Sequence, residues 1–409
     1  MRRANGLSGG LVAVVAGLSV MTWSGTLVAA QEESMAGGTT PLYLAVPLDQ
    51  QGKLSEALAL YRAQAEKTLT KADRLRYASA LQRAGRTEEA KVAFDQVARE
   101  AAAVEHGGDG VARGAAVCAS SLLANGFPTA ALPYAWQAHR LRSSDRTIGL
   151  LLVRALAASG DGATARATLD EVARDQQGWV IGQRIELARW RLLTGDPEVA
   201  RHLLDGDRSA SAAQMFGESI VANVPLRARS WEEAAQLLAD SERKVPAGLG
   251  DKRVDRAWRN VQRELWSVQL RRAITLWKTG KVDLAVAEAA RAERSDEEYV
   301  RSGAILLLAA ADLTHGQGGN ARTRLSALAG HDPRFASAVA ELDEFSTKGG
   351  DPGAMQPRLQ TVLGGLDQSM DFVTQPLCEI VVEASHPRPT TPRNTVLDAV
   401  QALTASSGR

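Results

Sequence analysis

The chain has few of the residues that disulfide-stapled folds and metal sites require. Its 409 residues include only two cysteines and six scattered histidines, and neither a paired-cysteine zinc pattern nor an HExxH motif occurs. Cys118 and Cys378 are expected to be buried free thiols, with a disulfide as the alternative. Aromatic residues make up 5% of a chain that is 45% hydrophobic. Its apolar residues are therefore mostly small or aliphatic, which suits closely packed helices.

The sequence also lacks an excess of either charge. Residues 1–30 contain Arg2, Arg3 and no acid, so the rest of the chain has 46 of the 48 basic residues against 47 acidic ones. This balance argues against nucleic-acid binding. Ser241 and Lys244 fit a Ser-x-x-Lys pattern, but no partner motif accompanies them. We therefore expect no enzyme activity, no cofactor and no metal.

Long apolar runs are absent beyond the N-terminus. There, two arginines follow Met1, Leu11–Val20 is apolar, and Val28-Ala29-Ala30 offers a small-residue cleavage site before Gln31. This pattern predicts a signal peptide over residues 1–30 and an exported protein, periplasmic or extracellular. The alternative is an uncleaved N-terminal membrane anchor. Membrane contact is expected only in that case.

A glycine followed by an alanine five residues later recurs along the chain. The pairs are Gly52/Ala57, Gly85/Ala90, Gly126/Ala131, Gly160/Ala165, Gly195/Ala200, Gly280/Ala285, Gly316/Ala321 and a weaker Gly349/Ala354. Arg229/Ala234 keeps the spacing without the glycine. Most successive alanines are 33 to 36 residues apart, and such a period indicates one helix–turn–helix per repeat in a solenoid.

Two further positions complete the repeat. A second small residue lies twelve positions before most of these alanines, at Ala78, Ala119, Ala188, Ala222, Ala273 and Ala309. A bulky residue often lies four positions after, at Tyr61, Phe94, Leu169, Leu204, Leu238 and Leu325. This spacing of small, small and bulky residues over roughly Gln50 to Phe345 resembles the tetratricopeptide repeat. The resemblance implies an all-α fold, a right-handed α-α superhelix of about eight helix–turn–helix units.

The repeat also divides the chain. We expect a flexible lead-in over residues 31–50, the solenoid over 51–345 and a C-terminal tail over 346–409. Within the lead-in, Pro41 and Pro47 limit Leu42–Leu48 to a short capping turn. Within the tail, Pro376–Ala384 reads as a strand or a short helix. A proline-rich linker and an amphipathic helix over 394–405 follow, and that helix would cap the last repeat.

The resemblance further implies a concave groove lined by the first helix of each unit. Carrying the register across gives the candidate peptide-binding residues Gln82, Arg83, Arg113, Arg154, Arg189, Asn223, Arg227, Ile274, Trp277 and Lys278. Arginine forks bind carboxylates and apolar pockets hold side chains, so the expected ligand is an extended, partly acidic peptide. Because Asn223 stands alone, capture of a C-terminal carboxylate by asparagines in successive units is not expected. Alternatively, the arginines only solvate a groove that binds nothing tightly.

Together these features predict an exported scaffold or adaptor that binds a protein or peptide partner without catalysing a reaction. Two alternatives remain. One is a non-catalytic or assisting subunit of an envelope enzyme. The other is a component of an assembly complex anchored in the membrane by an uncleaved N-terminal segment.

Overall fold

A computed structural model describes residues 42–65, 69–104, 108–174, 181–193, 217–244, 256–348 and 352–386, with residues 199 and 203 as isolated positions. All regular structure in these ranges is helical. The predicted signal peptide over 1–30, most of the lead-in, and the capping helix over 394–405 lie outside the described residues. So do the markers Gly195 and Ala200, although the first helix of their unit is described.

The helices follow one another as hairpins. They are α1 (Leu42–Gln50), α2 (Leu54–Ala65), α3 (Lys71–Arg83), α4 (Thr87–Val104), α5 (Gly108–Ala124), α6 (Pro128–Leu141), α7 (Arg146–Ala158), α8 (Gly162–Val172), α9 (Ile181–Leu193), α10 (Asn223–Arg227), α11 (Trp231–Arg243), α12 (Arg256–Lys278), α13 (Val282–Ala292), α14 (Glu298–Thr314), α15 (Gly318–His331), α16 (Ala336–Lys348), α17 (Pro352–Leu366) and α18 (Asp371–Ser385). Short 3₁₀ helices at Pro333–Phe335 and Gln368–Met370 precede α16 and α18. Successive helices from α1 to α8 and from α10 to α15 pack on each other. The predicted all-α superhelix is confirmed.

At six of the predicted markers in the described ranges, a glycine ends the first helix of its hairpin. At the α3–α4 turn, Gly85 has φ +74°, and the N–H of Arg86 donates to the carbonyl of Leu81 at 2.9 Å. This is the left-handed C-cap that satisfies the last carbonyls of a helix and favours glycine. The same geometry recurs at Gly52, Gly126, Gly160, Gly280 and Gly316. The turns predicted at these markers are confirmed.

Arg229 holds the left-handed position where the repeat lacks its glycine. Its φ is +57°, and the N–H of Ser230 donates to the carbonyl of Pro225 at 2.9 Å. We expect Arg229→Gly to be more stable than Arg229→Ala by about 1 kcal/mol, because only glycine relieves the left-handed strain. Both variants lose the same surface ion pair to Glu379, so the comparison isolates the backbone. Urea unfolding measures it, and an alanine variant at least as stable as the glycine variant would contradict the turn geometry.

The small residues of the repeat lie where helices approach most closely. The marker alanines at 57, 90, 131, 165, 234, 285 and 321, and the second set at 78, 119, 188, 222, 273 and 309, are all at most 1% exposed. The resulting core forms two clusters, over 45–190 and 222–382, and Leu193 packs against both. Cys118 and Cys378 lie in different clusters, and both are free and buried, as predicted. Burial raises the pKa of each thiol to about 12.

Both ends of the described chain are more helical than expected. Leu42–Gln50 is a helix that packs on α2, not a flexible lead-in, so the repeat array begins before residue 51. Pro47 is tolerated because a proline removes only one backbone donor from this short helix. In the tail, Pro376–Ala384 lies within α18. Its β-branched Ile380, Val381 and Val382 are buried. Their packing in the core therefore stabilises a helix despite the strand preference of these residue types.

The superhelix returns on itself, so that its C-terminal hairpins touch the turns of its N-terminal ones. A Cβ added at Gly330 in α15 would lie 2.2 Å from the carbonyl oxygen of Gly52. A Cβ added at Gly126 would lie 2.6 Å from Cδ2 of Leu366. These contacts join units at opposite ends of the array. Separately, none of the described helices combines the length and apolar character needed to cross a bilayer.

Candidate functional site

The chain itself covers the concave face of the C-terminal hairpins. Helix α18 packs along α14 and also contacts α12 and α10, the first helices of their hairpins. Leu377 and Ile380 of α18 are fully buried, and the Tyr299 hydroxyl lies 3.0 Å from the Thr374 hydroxyl across the contact. An extended peptide therefore has no free groove in this half.

Two predicted groove cations of this half contact α18. Lys278 Nζ lies 3.1 Å from a carboxylate oxygen of Glu379. The guanidinium of Arg227 lies 4.7 Å from the ring centroid of Phe372, a cation–π distance. The basic face expected to meet an acidic peptide thus meets the acidic side of the chain's own helix.

Three other predicted residues of this half lie in or against the core. Ile274 is 1% exposed, and Trp277 is half-buried against the same cluster. The side-chain oxygen of Asn223 accepts a hydrogen bond from buried Arg271 at 2.6 Å. These three side chains hold the repeats together rather than line an open groove.

The predicted residues of the N-terminal half divide into two groups. Arg83 and Arg154 line a cavity. Gln82, Arg113 and Arg189 are half-buried residues outside its lining, and Arg189 lies 3.9 Å from a carboxylate oxygen of Glu264. Of the ten groove residues that the resemblance implied, two therefore line the cavity.

This charged cavity has a volume of about 300 Å³ and lies between the inner face of the N-terminal hairpins and the segment that opens α14. One wall carries Ser79, Ser120, Ser121 and Asn125 from α3 and α5. The other wall comes from residues 294–298 and the end of α15. The first wall also includes apolar side chains such as Val46, Leu75 and Ala124, so the cavity suits a ligand that can form hydrogen bonds and also present some apolar surface.

Six arginines and four carboxylates line the charged cavity. Four of the arginines have a carboxylate partner in the same lining: Arg83 with Asp49, Arg154 with Glu297, Arg263 with Asp296 and Arg301 with Glu298. A fifth, Arg76, is paired with Asp73 behind the wall at 3.0 Å. The exposed side chain of Arg294 has no hydrogen bond or ion pair within the described part of the chain. The lining thus carries an excess of positive charge.

One ion pair of the cavity crosses between the two halves of the superhelix. Arg154 of α7 donates to Glu297 at 3.1 Å. Burial alone would raise the pKa of Glu297, but Arg154, Arg263 and Arg189 lower it below its ordinary value. Glu297 is therefore held as a carboxylate, and the far wall of the cavity is fixed to the N-terminal hairpins by charge.

A second crossing, the closure cluster, consists of Asp49, Arg83, Glu298, Arg301 and His331. Nδ1 of His331 lies 2.9 Å from the backbone oxygen of Asp49 and 3.1 Å from its carboxylate. Nε2 of His331 lies 3.1 Å from Glu298, and the Arg301 guanidinium contacts both. Burial raises the pKa of Glu298, but Arg301, His331 and Arg83 outweigh it and lower that pKa to about 2. The cluster joins residues 282 positions apart.

A third crossing is made by Arg334, which follows α15. It donates to the backbone oxygen of Asn125 at 2.9 Å and to that of Gly126. Its guanidinium stacks 3.9 Å from the ring centroid of Phe127, and it pairs with Asp332 at 2.6 Å. Arg334 thus holds the α5–α6 turn against the C-terminal hairpins, next to the cavity wall.

The wall formed by residues 294–298 did not emerge from the sequence as a binding surface. Ser295 and Glu298 fit a helix-capping pattern, and the Ser295 hydroxyl does accept from the N–H of Glu297 at 3.1 Å. A run of three acids after an arginine is common on solvated helix ends. No local signal shows that this run faces another hairpin. Within the described ranges, no group of three or more His, Cys, Asp or Glu side chains is placed to hold a metal ion.

Comparison with known proteins gives a distant structural likeness. No protein-family model and no curated protein sequence matches the chain. Among solved structures, a monomeric mutant of IFIT1 with Gppp-AAAA is 12% identical with a TM-score of 0.40, over 84% of this chain and 82% of that one. The human IFIT1 dimer with m7Gppp-AAAA is also 12% identical with a TM-score of 0.40, over 84% and 81%.

Proposed function

We propose that the protein is an exported tetratricopeptide-type scaffold or adaptor that binds a protein partner without catalysing a reaction. The observation that carries this proposal is the charged cavity. It keeps an accessible polar surface on the inner side of the superhelix, whereas α18 covers the inner side of the C-terminal hairpins. Export is supported by the sequence of residues 1–30.

The chemistry of the cavity favours an acidic partner segment. Five of its six arginines are paired with carboxylates of the described chain and Arg294 is not, and arginine binds carboxylates through paired hydrogen bonds. A volume of about 300 Å³ is at the lower end for ligand sites. We therefore propose a smaller binding site than the extended groove expected from the sequence. One or two side chains of an acidic segment enter the cavity, and the rest of the partner contacts its rim.

Cross-linking in the native cell envelope, followed by mass spectrometry, tests this proposal. Ser120 is a half-buried residue of the cavity wall, so Ser120→Trp is expected to fill the cavity and abolish capture of a dominant partner. Ser144→Trp, an exposed site outside the cavity, is the matched control and should retain capture. Equal capture by both variants, or no reproducible partner of the wild type, would contradict the proposal.

The export part has its own test. The mature protein should begin at Gln31, as read by mass spectrometry of the intact protein. Retention of residues 1–30 would replace export with anchoring at the membrane.

A further inference from the structure

A second cavity lies beside the charged cavity and differs from it in chemistry. This side cavity has a volume of about 520 Å³ and is enclosed by residues 293–295, α14 and α15. It shares Arg294, Ser295, Arg301 and His331 with the charged cavity. Its volume is within the range of about 300–1,000 Å³ typical of small-molecule sites. It was not among the predicted sites.

The inner wall of the side cavity is apolar. It is formed by Ile305 of α14 and by Ala327 and Leu328 of α15. Leu328 is 1% exposed and belongs to the core, and Ile305 packs against the same core. An apolar group placed on these side chains would leave water without displacing any hydrogen-bonded group.

The rim of the side cavity is cationic, and one of its charges is uncompensated. Arg324 is paired with Asp312 at 3.0 Å and with Glu293 at 3.4 Å. Arg301 is paired with Glu298 at 2.5 Å. Arg294 is exposed and has no side-chain partner among the described residues. An apolar wall below one unpaired arginine matches a ligand with a compact apolar body and a single negative charge.

We infer that the side cavity binds a small organic monoanion, with its apolar body on Ile305, Ala327 and Leu328 and its oxyanion at Arg294. Binding is non-covalent. The site shares Arg294 and three other residues with the charged cavity, but binding of the small anion does not depend on the protein partner proposed above. Because Arg301 and His331 also belong to the closure cluster, an occupied side cavity adds contacts to the closed superhelix. Ligand binding should therefore also raise the melting temperature.

The test uses three probes that separate charge from apolar contact: hexanoate, hexanamide and acetate. Calorimetric titration of the full-length protein should give hexanoate an affinity about tenfold or more above the other two. The affinity of the Arg294→Gln variant for hexanoate should fall to the value for hexanamide. Its affinity for hexanamide should equal that of the wild type. As a control, Arg322→Gln removes an exposed arginine of α15 that does not line the side cavity. It should bind like the wild type.

A second variant tests the place of binding. Thr323 is an exposed lining residue, so Thr323→Trp should fill the side cavity and abolish binding of hexanoate and hexanamide alike. Circular dichroism confirms that each variant is folded. Three results would each overturn the inference. The wild type could bind hexanoate and hexanamide equally, it could fail to bind hexanoate, or either cavity variant could bind hexanoate as well as the wild type does. None of these results bears on capture of a protein partner, which Ser120→Trp tests.

Discussion

Replacing Glu298 with glutamine is expected to lower the free energy of unfolding by about 3 kcal/mol at neutral pH. Glu298 is 3% exposed and lies within the closure cluster, against Arg301 and His331. Glutamine keeps its shape and can still accept from Ser302, whose hydroxyl donates to Glu298 at 2.7 Å. Only the charge is lost, which leaves half-buried Arg301 without its carboxylate partner. Urea unfolding at pH 7 measures the change.

The pH dependence identifies that loss as electrostatic. The pKa of Glu298 is about 2 in the folded protein against an ordinary value of 4.5. Between these values the unfolded chain binds a proton that the folded chain does not, so stability from this group falls as pH falls from about 4.5 to about 2. The difference between wild type and Glu298→Gln should therefore be full above pH 4.5 and shrink below it. A difference that stays constant with pH would contradict this origin.

Glu293→Gln is the matched control for Glu298→Gln. Glu293 lies five residues earlier and is partly exposed, with a pair to Arg324 at 3.4 Å. An exposed pair of this kind contributes little, so this variant should change the free energy of unfolding by less than about 1 kcal/mol. A loss as large as that of Glu298→Gln would show that any nearby charge change destabilises the segment.

Arg271→Met is expected to cost about 3–5 kcal/mol, the largest effect that we predict. Arg271 is 3% exposed and connects α12 to residues that precede and begin α10. Its guanidinium donates to Glu264 at 2.8 Å, to Asn223 at 2.6 Å and to the backbone oxygen of Ser219 at 2.9 Å. Methionine retains much of the volume but removes the close guanidinium partner of buried Glu264, which keeps the Ser219 hydroxyl as a donor and Arg189 at 3.9 Å. The side-chain oxygen of Asn223 also loses a donor. The loss should appear in urea and thermal unfolding.

The neighbouring arginine supplies the control for this prediction. Arg272 is partly exposed and pairs with Glu242 and with buried Glu288 at 2.9 Å. Because Arg291 also pairs with both carboxylates, Arg272→Met should cost less than Arg271→Met. Adding Glu264→Gln to Arg271→Met should recover part of the loss, because the buried charge that lost its close partner is then removed. Equal effects of the two arginine variants would contradict the buried network, as would a double variant no more stable than Arg271→Met alone.

The local structure of the repeat could be predicted because each feature depends on a few neighbouring residues. A glycine at a helix end and an alanine five residues later fix the turn and the close approach of two helices. The spacing placed Arg229 at the turn position without a glycine, and the structure shows that it adopts the left-handed conformation there. The helix of Leu42–Gln50 was not predicted because Pro41 and Pro47 disfavour a helix when the segment is considered alone. Its packing on α2 stabilises the helix in the folded protein.

The closure of the superhelix could not be predicted from the repeat. It depends on small rotations that accumulate from unit to unit and bring Asp49 next to His331. No pattern in the sequence gives the total rotation that accumulates along the array. For the same reason Arg83 and Arg154 were identified as inward-facing cations, but their partners in the chain itself were not. Arg294 was missed because its neighbours read as an ordinary helix cap.

The closed superhelix creates the charged cavity between its two halves, so the most direct test is a distance between its two ends. Spin labels at Lys53 and Ser326 would flank the contact of Gly52 with Ala327, and both sites are exposed. The buried thiols of Cys118 and Cys378 should resist labelling. Double electron–electron resonance should give one narrow distance within roughly two helix diameters, about 20–25 Å. A broad distribution at longer distances would mean an open solenoid, without the charged cavity between its two halves.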